Sequence, residues 1–208
     1  VRKKLMIIGA GGHGKVVADI ALKCGLWKTI EFLDDSEAVL SCLGLPVVGK
    51  TQDYKKHLND CDFFVAVGNN QVREFLINML EADGAEVVCL VHPNAVVGKE
   101  VVLGKGTVAM AGCVINSSTE IGKGCIINTS ASVDHDNRIE DFVHLSPGVH
   151  LAGNVKVGKG CWLGIGSTVI NDISLCEGCI VGAGAVVIRD ITQPGSYVGV
   201  PAKKLDKK

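Results

Sequence analysis

The chain has few aromatic residues, almost no net charge and no long apolar run. Phe, Trp and Tyr make up 4% of 208 residues, and no basic run accompanies them. Stacked bases and a phosphate backbone therefore find no platform, and nucleic acid is excluded as a partner. Net charge is -1, so there is no one-signed field to steer a polyanion. Mean hydropathy is +0.32, high for a chain in water. Yet no window approaches the roughly 20 apolar residues of a membrane span. Val1-Arg2-Lys3-Lys4 before Leu5-Met6-Ile7-Ile8 carries the charge of a signal peptide, but the apolar run is too short for one. The nine cysteines are an odd number. Without a secretion signal they point to a reduced, cytoplasmic protein. Cys176-Glu177-Gly178-Cys179 has CxxC spacing but no second ligand pair, so no metal is expected.

What the chain does have is a period. From Val97 through Leu103, Ala109 and Ile115 to Val187, every sixth residue is Ile, Leu or Val, with Ala109 the one exception among sixteen. Four residues after most of them comes a small or β-branched residue, such as Thr107, Cys125, Ala131 or Ser167. The residue just after is often Gly or Asn, as at Gly98, Gly104, Gly122, Asn128, Gly158, Gly164 and Gly182. A strand repeats every two residues and a helix every 3.6, so neither produces this pattern. A hexapeptide β-helix does. Each hexapeptide is one short strand and one corner. The aliphatic residue points inward, the small one fills the space beside it, and the following Gly or Asn is expected to take the corner dihedrals.

The first 92 residues read differently. Leu5–Ile8 is a short apolar run that predicts a buried strand. Gly9-Ala10-Gly11-Gly12-His13-Gly14 follows, and the spacing of Val16, Val17, Ile20, Ala21 and Cys24 predicts a helix closed by Gly25. Further strands are expected over 30–33, 46–49, 62–68 and 86–91, and a second helix over 72–83. Alternating β and α make a small Rossmann-like α/β domain, residues 1–92, before an all-β domain and tail, residues 93–208. Gly9, Gly11 and Gly14 match GxGxxG, with Asp34 twenty residues on. The motif requires a pyrophosphate at a helix N-terminus. The unit lacks the second half of a dinucleotide fold, so a nucleotide-sugar diphosphate fits better than NAD.

One corner of the repeat is chemically unlike the others. At Asp134-His135-Asp136-Asn137 two acids flank a histidine and Asn137 takes the small-residue slot. A carboxylate beside imidazole tunes it toward a base that works near neutrality.

The whole chain resembles the nucleotide-sugar (UDP-4-amino-sugar) N-acetyltransferases, close to the sialic-acid O-acetyltransferase-like group of hexapeptide-repeat acyltransferases. The matching pieces are the glycine turn, Phe32-Leu33-Asp34-Asp35, Ala66-Val67-Gly68-Asn69-Asn70, Asn128-Thr129-Ser130, His135-Asp136, Ala152-Gly153-Asn154-Val155 and Gly199-Val200-Pro201-Ala202-Lys203. The resemblance implies a left-handed parallel β-helix, three hexapeptides to a coil, and a cytoplasmic homotrimer with active sites between subunits. It implies acetyl transfer from acetyl-CoA to a nucleotide-linked sugar, with UDP as the first choice. Gly11, Gly12 and His13 resemble the phosphate-binding turn, Asp34 and Asp35 the nucleoside acceptors, and Gly68 the same pocket. His135 resembles the general base and Asp136 its partner, where the family more often has Glu. His144, Gly153, Ile165 and Ala183 resemble the acetyl-CoA contacts. With eighteen residues per coil, Gly153 stacks one coil beyond His135, and its N–H is placed for an oxyanion. Ile165 and Ala183 then share another column. Acting on the oxygen of a sialic-acid-type sugar, or binding without turnover, are the competing readings.

Overall fold

The structure, a computed structural model, describes residues 2–205. It divides into two compact units, Val1–Pro93 and Asn94–Lys208.

In the first unit β1 (Arg2–Ile8) is followed by α1 (Gly12–Cys24), β2 (Trp27–Leu33), β3 (Ser41–Cys42), β4 (Leu45–Gly49) and a 3-10 helix, Thr51–His57. Then come β5 (Asp62–Val65), α2 (Asn70–Ala82) and β6 (Glu86–Val87). The sheet order is β3-β4-β2-β1-β5-β6, parallel throughout apart from β3 with β4. Leu5, Met6, Ile7 and Ile8 are all buried, which is why β1 reads as unbroken apolar sequence. Helix α1 buries Val17, Ala18, Ile20 and Ala21 and ends at Gly25, whose left-handed backbone lets its N–H reach the Leu22 carbonyl. The Asn69 side chain caps α2 by accepting the Val72 N–H.

Several bounds differ from the sequence reading, and two elements, β3 and the 3-10 helix, are new: β2 starts at Trp27, α2 spans Asn70–Ala82, and the strand expected over 86–91 is two, Glu86–Val87 and Leu90–Val91. Helix α1 starts at Gly12, so the glycine turn is itself the first helical turn. Strand β5 stops at Val65, which frees residues 66–69 as a loop. The 3-10 helix has no apolar period; it is started by the Lys50 N–H donating to Asp53. Because β2 and β5 lie on opposite sides of β1, the order in which the chain adds strands to the sheet reverses there. The loops after β1 and β5 start at this switch point, the place where such sheets bind ligands.

The second unit is the left-handed parallel β-helix. Two-residue strands pair in parallel with the strand eighteen positions on: Val108 with Ile126, Ile126 with His144, His144 with Trp162. Three such columns make a prism, and fourteen of the sixteen inward aliphatics are buried. Val97 and Leu103 are the exceptions, on strands that end their sheets with no strand stacked beneath. Their exposure is the cost of a solenoid end.

The corners correct one expectation. The left-handed backbone falls three residues after each aliphatic position, not one: every sixth residue from Glu100 to Gly184 has positive φ, including Asp136 at 59° and Asn154 at 55°. The glycines just after the aliphatic residues have a different cause. A Cβ on Gly104 would lie 2.5 Å from the Lys123 nitrogen of the next coil, and on Gly158 2.5 Å from that of Glu177. Close stacking of coils excludes a side chain there; no unusual dihedral is involved.

Candidate active site

In the first unit the glycine turn after β1 presents bare backbone. Gly14 packs against the Gly9 carbonyl so tightly that any Cβ would overlap it. Gly11 and Gly12 face open space, and no side chain caps the start of α1. The first N–H groups of the helix are thus presented to an anion. His13 is mostly buried, and burial followed by the Arg73 charge pushes its pKa down to about 4. It is neutral at physiological pH, and its Nε2 has no protein partner among the described residues. Arg73, 1% exposed, donates to the carbonyls of Val67 and Gly68 and to Asn70. It holds the loop that carries Gly68. Sequence reasoning missed it because an arginine in a helix normally reads as solvated surface.

Asp34 has a task beyond the one its motif implies. One oxygen accepts the Ala10 N–H at 2.7 Å and the other the Ser36 N–H at 2.8 Å. It ties the glycine turn to the end of β2. Asp35 accepts the Thr51 N–H and borders a cavity of about 700 Å³ with Lys50, Tyr54, Phe75 and Met79. Phe75 is 66% exposed on α2, a flat apolar surface beside polar groups.

In the second unit His135 stands at the corner between strands Ser132–Val133 and Arg138–Ile139. Its Nδ1 lies 2.7 Å from Asp136 Oδ2. The left-handed backbone of Asp136 turns its carboxylate back onto the ring. Asp134 is otherwise engaged: its Oδ1 accepts from Asn116 Nδ2 at 2.8 Å and from the His135 N–H at 2.9 Å. Those bonds hold its pKa below the usual carboxylate range, the Asn116 contribution being largest. The bond to Asp136 raises the pKa of His135. With Nδ1–H donated to Asp136, Nε2 is left as the acceptor. The ring packs on Gly153, where a Cβ would come within 2.8 Å of Nε2. Eighteen-residue stacking thus brings His135 and Gly153 together.

The other three cofactor positions lie elsewhere on the prism. His144 sits on a strand face, stacked on Trp162 with ring centroids 5.8 Å apart, its Nε2 3.2 Å from Asn128 Nδ2. Ile165 is exposed at the corner between strands Trp162–Leu163 and Thr168–Val169, and Ala183 at the matching corner one coil on, between Cys179–Val181 and Val186–Val187. Trp162 was missed as a partner of His144, and the eighteen-residue spacing between them was the available signal.

The cysteines do no chemistry at this corner. Cys113 and Cys161 are buried, with thiol pKa values pushed up to about 11 by burial. The Cys176 and Cys179 sulfurs lie 3.4 Å apart. No cluster of three or more His, Cys, Asp or Glu side chains fit to hold a metal ion occurs among the described residues.

The chain is similar to known proteins over most of its length. Residues 4–80 match the family described as PglD N-terminal domain. The chain is 39% identical over 114 residues to the UDP-N-acetylbacillosamine N-acetyltransferase of Bacillus subtilis (strain 168), a stretch covering 52% of either protein. Its fold superposes on the acetyltransferase domain of PglB from Neisseria gonorrhoeae FA1090 in complex with acetyl coenzyme A with a TM-score of 0.95. That pair is 40% identical, over 99% of this chain and 100% of the other. PerB from Caulobacter crescentus, in complex with CoA and GDP-perosamine, superposes with a TM-score of 0.90 at 40% identity, over 98% of this chain and 97% of the other. With relatives this similar over nearly their full length, and with the coil stacking that places His135 over Gly153, the chain belongs to the nucleotide-sugar N-acetyltransferases of the hexapeptide-repeat acyltransferase superfamily.

Proposed function

We propose that the protein transfers acetyl from acetyl-CoA to the 4-amino group of a nucleotide-linked amino-deoxy sugar, with a UDP-linked sugar as the acceptor. The observation that carries this is His135, held by Asp136 at Nδ1 with its ring on Gly153. The sugar amine attacks the thioester carbonyl and forms the new C–N bond. His135 Nε2 takes the proton that the amine loses. The Gly153 N–H stabilises the oxyanion as it forms. Collapse breaks the C–S bond, and the proton leaves with the CoA thiolate. The side chain of His135 is 62% exposed, so substrates reach it without local unfolding.

Gly11, Gly12 and His13 bind the diphosphate at the start of α1, with Asp34, Asp35 and Gly68 around the nucleoside. A neutral His13 donates or accepts a hydrogen bond there without adding charge. His144, Ile165 and Ala183 contact CoA together with Gly153. They lie on two sides of one prism, so a neighbouring subunit completes the groove and the working unit is a homotrimer. A fully active monomer in sedimentation would reject that assembly. The odd number of cysteines supports a cytoplasmic setting.

Release of free thiol from acetyl-CoA with a panel of UDP-, GDP- and dTDP-linked 4-amino sugars tests the reaction and the base. Turnover with UDP sugars is expected; turnover with GDP sugars alone would overturn the choice of nucleotide, and none with any of them the reaction itself.

The two acids are separable by pH. A general base works only when deprotonated, so kcat rises with pH through its pKa. Asp136 raises that pKa, so Asp136→Asn is expected to lower kcat and move the rising limb to lower pH. Asp134→Asn should shift the limb less, because that carboxylate faces Asn116. Profiles of kcat against pH for both variants decide; a larger shift for Asp134→Asn would assign the orienting role to the other acid.

A further inference from the structure

Inside the catalytic corner one buried amide touches both halves of the machinery. Asn137 occupies the inward slot that neighbouring repeats fill with Thr119, Ala131, Val143 or Val149, and it is 1% exposed. Its Nδ2 donates to the Asp134 carbonyl at 2.7 Å and the Ala152 carbonyl at 2.9 Å, with the His135 carbonyl at 3.3 Å. Its Oδ1 accepts the Val155 N–H at 3.2 Å. A satisfied amide costs little to bury. The fold does not require one, since buried Val143, Val149 and Val155 fill the same slot without it.

The Ala152 carbonyl and the Gly153 N–H belong to one peptide group. In a trans peptide they point in opposite directions. Drawing the carbonyl inward onto Asn137 turns the N–H outward, the side on which the His135 ring lies. The repeat supports this direction. At the equivalent position of other coils the N–H groups of Lys123, Thr129, His135 and Lys159 meet side-chain oxygens of Asp141, Asn128, Asp134 and Glu140 at 2.7–2.9 Å. Two of those acceptors, Asn128 and Asp134, directly precede the N–H they cap. At the Gly153 corner that place is taken by Ala152, which has no acceptor to offer.

We infer that Asn137 is a positioning residue for acetyl transfer. It holds the Ala152–Gly153 peptide with its N–H toward the thioester oxygen, and holds the Asp134 carbonyl beneath the His135 backbone. The inference rests on the proposed roles of His135 and Gly153.

The repeat supplies its own controls. Valine is already accommodated in this slot. Threonine is too, and there it donates to the carbonyl fifteen residues on: Thr107 Oγ1 to Gly122 at 2.7 Å and Thr119 Oγ1 to Asp134 at 2.9 Å. A threonine at 137 reaches the Ala152 carbonyl in the same way. Asn137→Val is expected to lower kcat about tenfold or more, with KM for both substrates within about twofold. The midpoint of the rising pH limb stays in place, because the bond between His135 and Asp136 is untouched. Asn137→Thr recovers most of the loss. Melting curves show both variants folded. Normal kcat in Asn137→Val, an effect confined to KM, or equal losses in both variants would each overturn the positioning role. His135→Ala is assayed alongside. If it keeps turnover, the proposed roles fail and the inference falls with them; if it is inactive while Asn137→Val is normal, only the Asn137 role fails.

Discussion

His135→Ala should lower kcat about 100-fold or more and leave the KM for acetyl-CoA nearly unchanged. The ring is mostly exposed and held by Asp136 and by stacking on Gly153, so little apolar packing is lost and the melting temperature should hold. An amine attacking a thioester must lose a proton as the bond forms. At this corner only Nε2 of His135 is both basic and turned outward: Asp134 is tied to Asn116 and Asp136 is tied to the ring. Steady-state kinetics by thiol release, at a pH above the rising limb, separate kcat from KM. Near-normal turnover would remove His135 from the base role.

Gly153→Ala is expected to lower kcat by about 10²-fold with the fold intact. A Cβ there meets His135 Cε1 at 2.7 Å and Nε2 at 2.8 Å, distances that real Cβ contacts do not reach. The backbone at Gly153 is not left-handed, so alanine itself adds no strain. The neighbour that must give way is an exposed ring, which swings outward and carries Nε2 off its working position. A displacement near 1 Å is worth about 10²-fold in rate. The contrast is Gly104→Ala, where the Cβ meets backbone of the next coil; there the loss should appear in melting temperature instead. If Gly153→Ala retains kcat within about twofold, the stacking of ring on glycine has no catalytic weight.

The period of six was legible from Val97 to Val187 because each hexapeptide makes the same local choice: one residue in, one corner, one short strand. The glycine turn and the helix closed by Gly25 were legible for the same reason, since propensity and capping act over a few residues. The left-handed corner residues were not, because seven of the fifteen are not glycine, and Glu100, Ser130 or Phe142 gives no outward sign of positive φ. The pairing of acid with histidine was equally undetermined. Asp134 and Asp136 are both adjacent to His135, and adjacency cannot choose between them. Asn116, one coil away, engages the first, and the corner backbone turns the second onto the ring. Arg73 reads as an ordinary surface arginine, and Asn137 as an odd occupant of a small-residue slot without a stated task, until their buried carbonyl partners are seen. The sequence by itself determined the six-residue period, the aliphatic face that fourteen of sixteen positions bury and the histidine at the polar corner, because those follow from local period and residue type. The tertiary structure alone decided which acid meets Nδ1 of that histidine, which glycine lies against its ring and which amide bonds the carbonyl before that glycine. Two of those contacts join residues eighteen and fifteen positions apart, and the third rests on a left-handed corner backbone; all depend on angles and tenths of an ångström that no residue type encodes.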